Sequence, residues 1–151
     1  MFHNGDQFTK DCEEVLALLG LDPVPIHYSY ACYYTATTDS ISMNIEDACT
    51  LKYEWYKNVA QYTCIGKSFN LVFWSLLHEY GHYQDTMETY FSDEDEFFRE
   101  LMLMLPEGTD RVMAYFNLPS EKVATQWAAE FIEDNKEKCL IANEILEKYV
   151  V

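Results

Sequence analysis

The feature that most constrains the fold is an apolar run that ends abruptly in charged and polar residues. Residues 69–77 (FNLVFWSLL) are almost wholly apolar, and His78, Glu79 and His82 follow directly in the pattern H-E-x-x-H. The run predicts a buried helix that extends to about Asp85. Two histidines four residues apart lie one turn apart on the same helix face, so their rings can reach one point. Buried polar groups of this kind need partners, and a metal ion would supply them.

This spacing therefore predicts a Zn²⁺ site with His78 and His82 as two of its ligands. In this pattern Glu79 is not a ligand but is placed to accept a proton from a water that the metal activates. The alternative is a solvated helix face, which the adjacent apolar run disfavours. Gly81 lies inside the helix at a cost of about 1 kcal/mol against alanine, and we expect the close approach of another backbone or of a substrate there.

A catalytic zinc site needs a third protein ligand. The metzincin pattern would place it six residues after His82, but Asp85 and Glu88 stand where that pattern has glycine and histidine. A glutamate on a later helix is the usual solution, and residues 121–132 offer Glu121 and Glu130. At about 100° per residue, Glu130 lies opposite Glu121, which is flanked by an apolar arc of Ala124, Trp127, Ala128, Phe131 and Ile132. We predict Glu121 as the ligand and leave Glu130, Glu88 and Glu100 as alternatives.

Together the two motifs resemble those of the ImmA/IrrE-type metallopeptidases, which are small cytosolic gluzincins of phages and mobile elements. The family pattern is H-E-x-G-H followed by E-x-x-A-x-x-F/W-A. This chain has residues 78–82 (HEYGH) and then Glu121, Ala124, Trp127 and Ala128. The resemblance covers roughly residues 26–132 and implies a minimal zincin fold, bound zinc and peptidase activity. The chain departs from the family in the longer interval between the motifs, and it lacks both the helix-turn-helix domain and the L-L-x-P ending. The family's repressor-cleaving role is therefore not carried over.

The remaining elements predict a single α+β domain over residues 1–151, mostly helical with a small antiparallel sheet. Residues 26–35 and 41–45 predict two paired strands. Ser68 is expected to cap the motif helix and Ser92 the next helix, whose acidic first turn is explained by capping and solvation. Predicted helices cover residues 8–19 (stopped by Gly20), 46–62, 92–105 and 121–149, the last after an N-cap at Ser120 and with a break near Asn135. Thr109 starts a short segment, residues 112–116, to which no element is assigned.

Charge and cysteine content narrow the class of partner. The net charge of −16 argues against binding nucleic acids or anionic membranes and is compatible with a basic protein partner. The five cysteines are odd in number and form no C-x-x-C pair, so we expect free thiols and a reducing compartment. No signal-like segment is found near the N-terminus, and the apolar run is too short to span a bilayer. These features predict a cytoplasmic protein.

We therefore predict a zinc-dependent peptidase that acts on a cytosolic protein or peptide. Tyr83, Tyr90 and Tyr115 are candidates for stabilising the oxyanion, and residues 41–45 for pairing with an extended substrate. One alternative is a phage-type interaction protein, either an acidic inhibitor of a host factor or a DNA mimic that keeps the zincin fold as a scaffold. Another is a hydrolase of a non-peptide substrate. His27 is expected to be structural or exposed.

Overall fold

A computed structural model describes residues 5–51, 69–85, 88–89 and 92–150. Within these ranges the chain forms six α-helices and a three-stranded sheet, which gives an α+β fold. The helices are α1 (Gly5–Leu18), α2 (Leu71–Asp85), α3 (Asp93–Leu103), α4 (Thr109–Phe116), α5 (Pro119–Asp134) and α6 (Lys136–Glu147). The strands are β1 (Ile26–Tyr28), β2 (Tyr33–Thr35) and β3 (Ser40–Met43), and a π-helical segment spans Asp47–Leu51.

The helix boundaries follow the local signals closely. Gly20, with φ +74°, ends the first helical segment, where Leu21 N–H donates to the Leu16 carbonyl and Gly20 N–H to that of Ala17, the pairing expected at a helix C-terminus. The predicted break at Asn135 is confirmed, because this residue separates α5 from α6. Ser92 caps α3 as predicted, with its hydroxyl accepting from Asp95 N–H at 3.2 Å.

Two predicted caps are wrong. The motif helix begins at Leu71, and Asn70 caps it, because the Phe73 N–H donates to Asn70 Oδ1 at 2.7 Å. Ser68 and residues 52–62 of the predicted 46–62 helix lie outside the described residues. Ser120 is the second residue of α5 rather than its N-cap, since α5 begins at Pro119 after Leu118.

The sheet differs from the predicted pair of antiparallel strands. Residues 26–35 form two strands rather than one, and β3 lies between them in the order β1-β3-β2. β1 pairs with β3 in parallel, and β2 pairs with it antiparallel. The segment that connects β1 to β2 leaves the sheet because two side chains bind its backbone. Asn44 Nδ2 donates to the Ser29 carbonyl at 2.7 Å, and Cys32 N–H donates to Asp47 Oδ2 at 2.8 Å.

The core places the motif helix at the centre of the fold. Residues 72–82 of α2 are all buried, and α5 is the helix that α2 contacts most extensively. α1 and α6 pack against each other, and Asp11 of α1 accepts from Tyr149 Oη at 2.5 Å and from Lys148 Nζ at 3.0 Å. Among the described residues no helix combines the length and apolar character needed to cross a membrane.

Candidate metal centre

His78, His82 and Glu121 meet in the interior between α2 and α5. His78 Nε2 lies 3.2 Å from Glu121 Oε1, and His82 Nε2 lies 2.8 Å from Glu121 Oε2. All three side chains are buried, and one donor atom from each lies within 4.8 Å of the other two. Two imidazoles and one carboxylate are the donor set of a three-ligand catalytic zinc site. The donor chemistry and the convergence both fit Zn²⁺.

The close approach of α2 and α5 depends on Gly81. A Cβ atom added at Gly81 would lie 2.5 Å from the carbonyl oxygen and 2.8 Å from the Cα of Ala124. The expected close approach is therefore to a backbone, that of α5. Ala124 and Ala128 are both fully buried on this face, so small residues on both helices let the histidines of α2 reach Glu121.

A buried network holds the N-terminus of α5, which carries Glu121. The carboxylate of Asp95, fully buried in α3, accepts from the Ser120 N–H at 2.8 Å and from Arg99 Nε at 2.7 Å. Arg99 Nη2 also lies 3.2 Å from Ser120 Oγ. Asp95 therefore supplies from another helix the acceptor that the N-cap Leu118 lacks. The acidic first turn of α3 was interpreted as capping and solvation, and for Asp95 this interpretation is wrong, because its carboxylate is buried.

The neighbours of Glu121 favour its ionised form. Burial raises its pKa, but hydrogen bonds and charge from His78 and His82 outweigh this effect and hold the pKa well below its ordinary value. The carboxylate is therefore ionised at neutral pH, the form in which it can bind a cation.

Thr125, one turn after Glu121, contacts the other nitrogen of the first histidine. Its Oγ1 lies 3.2 Å from His78 Nδ1. When Nε2 is a metal ligand, Nδ1 carries the proton and donates to Thr125, which fixes the tautomer and the ring orientation. Thr125 was not predicted as a site residue, although its position four residues after Glu121 on the predicted helix was a signal for it.

Glu79 lies beside the three candidate ligands but does not belong to the group whose donor atoms converge. Its Oε1 is 3.9 Å from His78 Nε2. Its Oε2 is buried and has no hydrogen-bond partner in the described part of the chain. A buried carboxylate oxygen of this kind is costly unless a water or substrate group binds it, which is consistent with the predicted role as a proton acceptor.

The site opens into a cleft of about 400 Å³. Its walls include Glu79, His82 and Glu121, together with Arg99 of α3, Tyr115 of α4 and residues 32–37 around β2. Burial, followed by the negative charges of Glu121 and Glu79, raises the pKa of Tyr115 far above its ordinary value, so its hydroxyl stays protonated. Of the three predicted tyrosines, Tyr115 is therefore a hydrogen-bond donor in this cleft.

Of the other candidate residues, those that the structure describes do not lie at the candidate metal centre. Glu130 is exposed and accepts from Gln126 Nε2 at 2.9 Å, and Glu88 and Glu100 are exposed as well. Tyr83 packs against Tyr34 and Tyr80 and is not part of the cleft wall, while Tyr90 lies outside the described residues. His27 is exposed on β1 and does not line the cleft.

The substrate-pairing strand needs correction. β3 has partners on both sides, so its backbone cannot pair with a further strand. β2 is an edge strand of the described sheet, and residues 33–35 line the cleft. The role of pairing with an extended substrate therefore fits β2 and not residues 41–45.

Comparisons with family models, with curated proteins and with solved structures each found no match to this chain. The resemblance to the ImmA/IrrE-type metallopeptidases therefore stays a prediction that rests on the motifs.

Proposed function

We propose that this protein is a zinc-dependent peptidase. One observation carries the proposal: His78, His82 and Glu121 converge in a buried cluster that faces a cleft, with the Glu79 carboxylate beside them. The thiols of Cys12 and Cys139, which are buried and free in the described part of the chain, agree with a reducing compartment such as the cytoplasm.

Each residue of the cleft has a chemical role in peptide hydrolysis. His78, His82 and Glu121 would hold Zn²⁺, which when bound would supply Lewis acidity and lower the pKa of the attacking water. Glu79 accepts the proton of the attacking water and then delivers it to the leaving amine. Tyr115 donates a hydrogen bond to the oxyanion that forms on the peptide carbonyl, because its hydroxyl stays protonated beside two carboxylates.

The edge of β2 supports a peptide as the substrate. An extended peptide can add to an exposed edge by backbone hydrogen bonds, and its alternate side chains then point into the cleft or to solvent. Residues 33–35 run along the cleft that contains Glu79 and His82. Pairing here would place a peptide carbonyl close to the zinc site.

Zinc titration of purified protein tests the ligand set. Wild type should bind one equivalent, and the His78→Ala/His82→Ala double variant should bind none. Glu121→Ala should lose affinity severely, whereas Glu130→Ala is the matched control and should bind like wild type because its side chain is exposed. Normal zinc affinity in Glu121→Ala would overturn the assignment.

Glu79→Gln tests the peptidase itself. Wild type and variant are loaded with zinc and incubated with a mixture of peptides derived from a proteome, and new termini are identified by mass spectrometry. The variant should keep its zinc and its fold and lose all cleavage, because glutamine is nearly isosteric but cannot accept the proton. Cleavage by neither protein, or equal cleavage by both, would contradict the proposal; the first result would favour the interaction protein.

A further inference from the structure

Helix α3 presents its large apolar side chains to solvent. Asp95 is the side chain that α3 buries completely. By contrast Phe97 is 57% exposed, Phe98 40%, Leu101 43% and Met104, at the C-cap, 81%. These four residues are called the α3 strip below. An exposed apolar strip of this kind is uncommon on a helix that only faces water, and it marks surfaces that bind another molecule.

The orientation of α3 is fixed by contacts on its opposite side. At about 100° per residue, Phe97, Leu101 and Met104 follow one another along a single line, and Phe98 lies beside it. Asp95 and Arg99 lie on the other face, where both bind Ser120 of α5. Rotating the helix to bury the strip would break these hydrogen bonds to Ser120. The apolar face is therefore held outward by the same network that positions Glu121.

The border of the strip carries negative charge. Four exposed acids of α3 surround it, and the arginine of this helix is turned inward to Asp95. These acids are Asp93, Glu94, Glu96 and Glu100. A partner surface that buries the strip must bring cations against this border, because uncompensated carboxylates would otherwise lose solvent at the edge of the interface.

We propose that the α3 strip and its acidic border form a docking surface for a basic amphipathic helix of another protein. The apolar face of such a helix would cover Phe97, Leu101 and Met104, and its Lys or Arg side chains would pair with the acids. A second copy of this chain fits less well. In a two-fold symmetric contact the same acids would face each other across the interface. This surface goes beyond the proposed peptidase activity and does not require bound zinc.

Fluorescence anisotropy with a labelled peptide tests the proposal. The probe is a helical peptide of about 18 residues, built from Leu on one face and Lys on the other, and its analogue carries Glu in place of Lys. The Lys peptide should bind and the Glu peptide should not. Phe97→Ser/Leu101→Ser/Met104→Ser should weaken binding by about tenfold or more. Leu140→Ser/Ile141→Ser removes exposed apolar side chains from α6 and is the matched control, which should bind like wild type.

A second pair of variants tests the acidic border without touching the apolar residues. Each variant removes three negative charges, so both have the same net charge. The test variant is Glu94→Gln/Glu96→Gln/Glu100→Gln, and the control, whose acids are exposed on α5 and α6, is Glu133→Gln/Glu137→Gln/Glu144→Gln. The test variant should bind the Lys peptide several-fold more weakly at low salt, and the difference should shrink as salt rises. The weakening of binding in the control variant should be less than half of that in the test variant.

Three results would overturn the proposal. The first is absence of binding by the Lys peptide. The second is equal weakening in the test and control variants, which would show attraction by net charge or by any exposed apolar residue. The third is a concentration-dependent dimer, seen by analytical ultracentrifugation, that dissociates when the strip is changed to serine; the occupant would then be a second copy of the chain. Circular dichroism of each variant verifies that the fold is retained.

Discussion

Replacing Gly81 by alanine should separate the two helices that carry the candidate metal ligands. The added Cβ would lie 2.5 Å from the carbonyl oxygen of Ala124, whereas ordinary contact begins at 3.4 Å. The difference means that α2 and α5 must move apart locally by about 0.9 Å, because a backbone atom, unlike a side chain, cannot rotate away. His78 and His82 lie on one of these helices and Glu121 on the other.

The size of the effect follows from two opposing contributions. Alanine is favoured over glycine in a helix by about 1 kcal/mol, so in the absence of the contact this substitution would stabilise the protein. Overpacking costs about 1–3 kcal/mol, and more where backbone must shift. We expect a net loss of about 1–2 kcal/mol in the free energy of unfolding. Zinc sites tolerate about 0.2 Å in ligand distance, so a shift of this size should reduce zinc affinity by at least about tenfold.

Urea denaturation and a competitive zinc titration measure the two quantities separately. Gly20→Ala is the matched control: its φ of +74° makes alanine costly by about 1–2 kcal/mol, yet a Cβ there meets no atom of the described residues within 4 Å. That control should lose stability and keep wild-type zinc affinity. If Gly81→Ala were as stable as wild type and bound zinc normally, the close packing of α2 on α5 would be refuted as the basis of the site.

Three further predictions concern single contacts. Thr125→Val should lower zinc affinity by about 10- to 100-fold while all three ligands remain, because the Nδ1 proton of His78 loses its acceptor; isothermal titration calorimetry measures this. Asp95→Ala should destabilise the protein by about 3 kcal/mol in urea denaturation, since it removes two charge-assisted hydrogen bonds. Asp11→Asn should destabilise it by about 1–3 kcal/mol at pH 7. Burial raises the pKa of Asp11, but hydrogen bonds from Tyr149, Lys148 and Gln7 hold it below 3.8. The variant should therefore differ from wild type in unfolding free energy by the whole amount above pH 3.8. The difference should disappear as the pH falls through the lowered pKa that Asp11 has in the folded protein.

The sequence alone identified the residues whose position depends on local periodicity. A nine-residue apolar run followed by H-E-x-x-H leaves few alternatives to a buried helix with two histidines on one face. The apolar arc beside Glu121 separated it from Glu130 for a similar reason, because a helix fixes the direction of each side chain. Gly20, Ser92 and Asn135 were recognised as helix ends, since capping depends on a few consecutive residues.

Only the tertiary structure decided which strands pair and which face of α3 is buried. Residues 26–35 have strand composition throughout, but Asn44 and Asp47 bind their backbone and divide them, so that β2 rather than β3 forms the edge beside the cleft. The apolar side of an amphipathic surface helix ordinarily points toward the core. Asp95 overrides that preference by binding Ser120 and Arg99, which lie 25 and 4 residues away. Contacts between residues far apart in the chain leave no periodic signal, and they set the direction in which this helix faces.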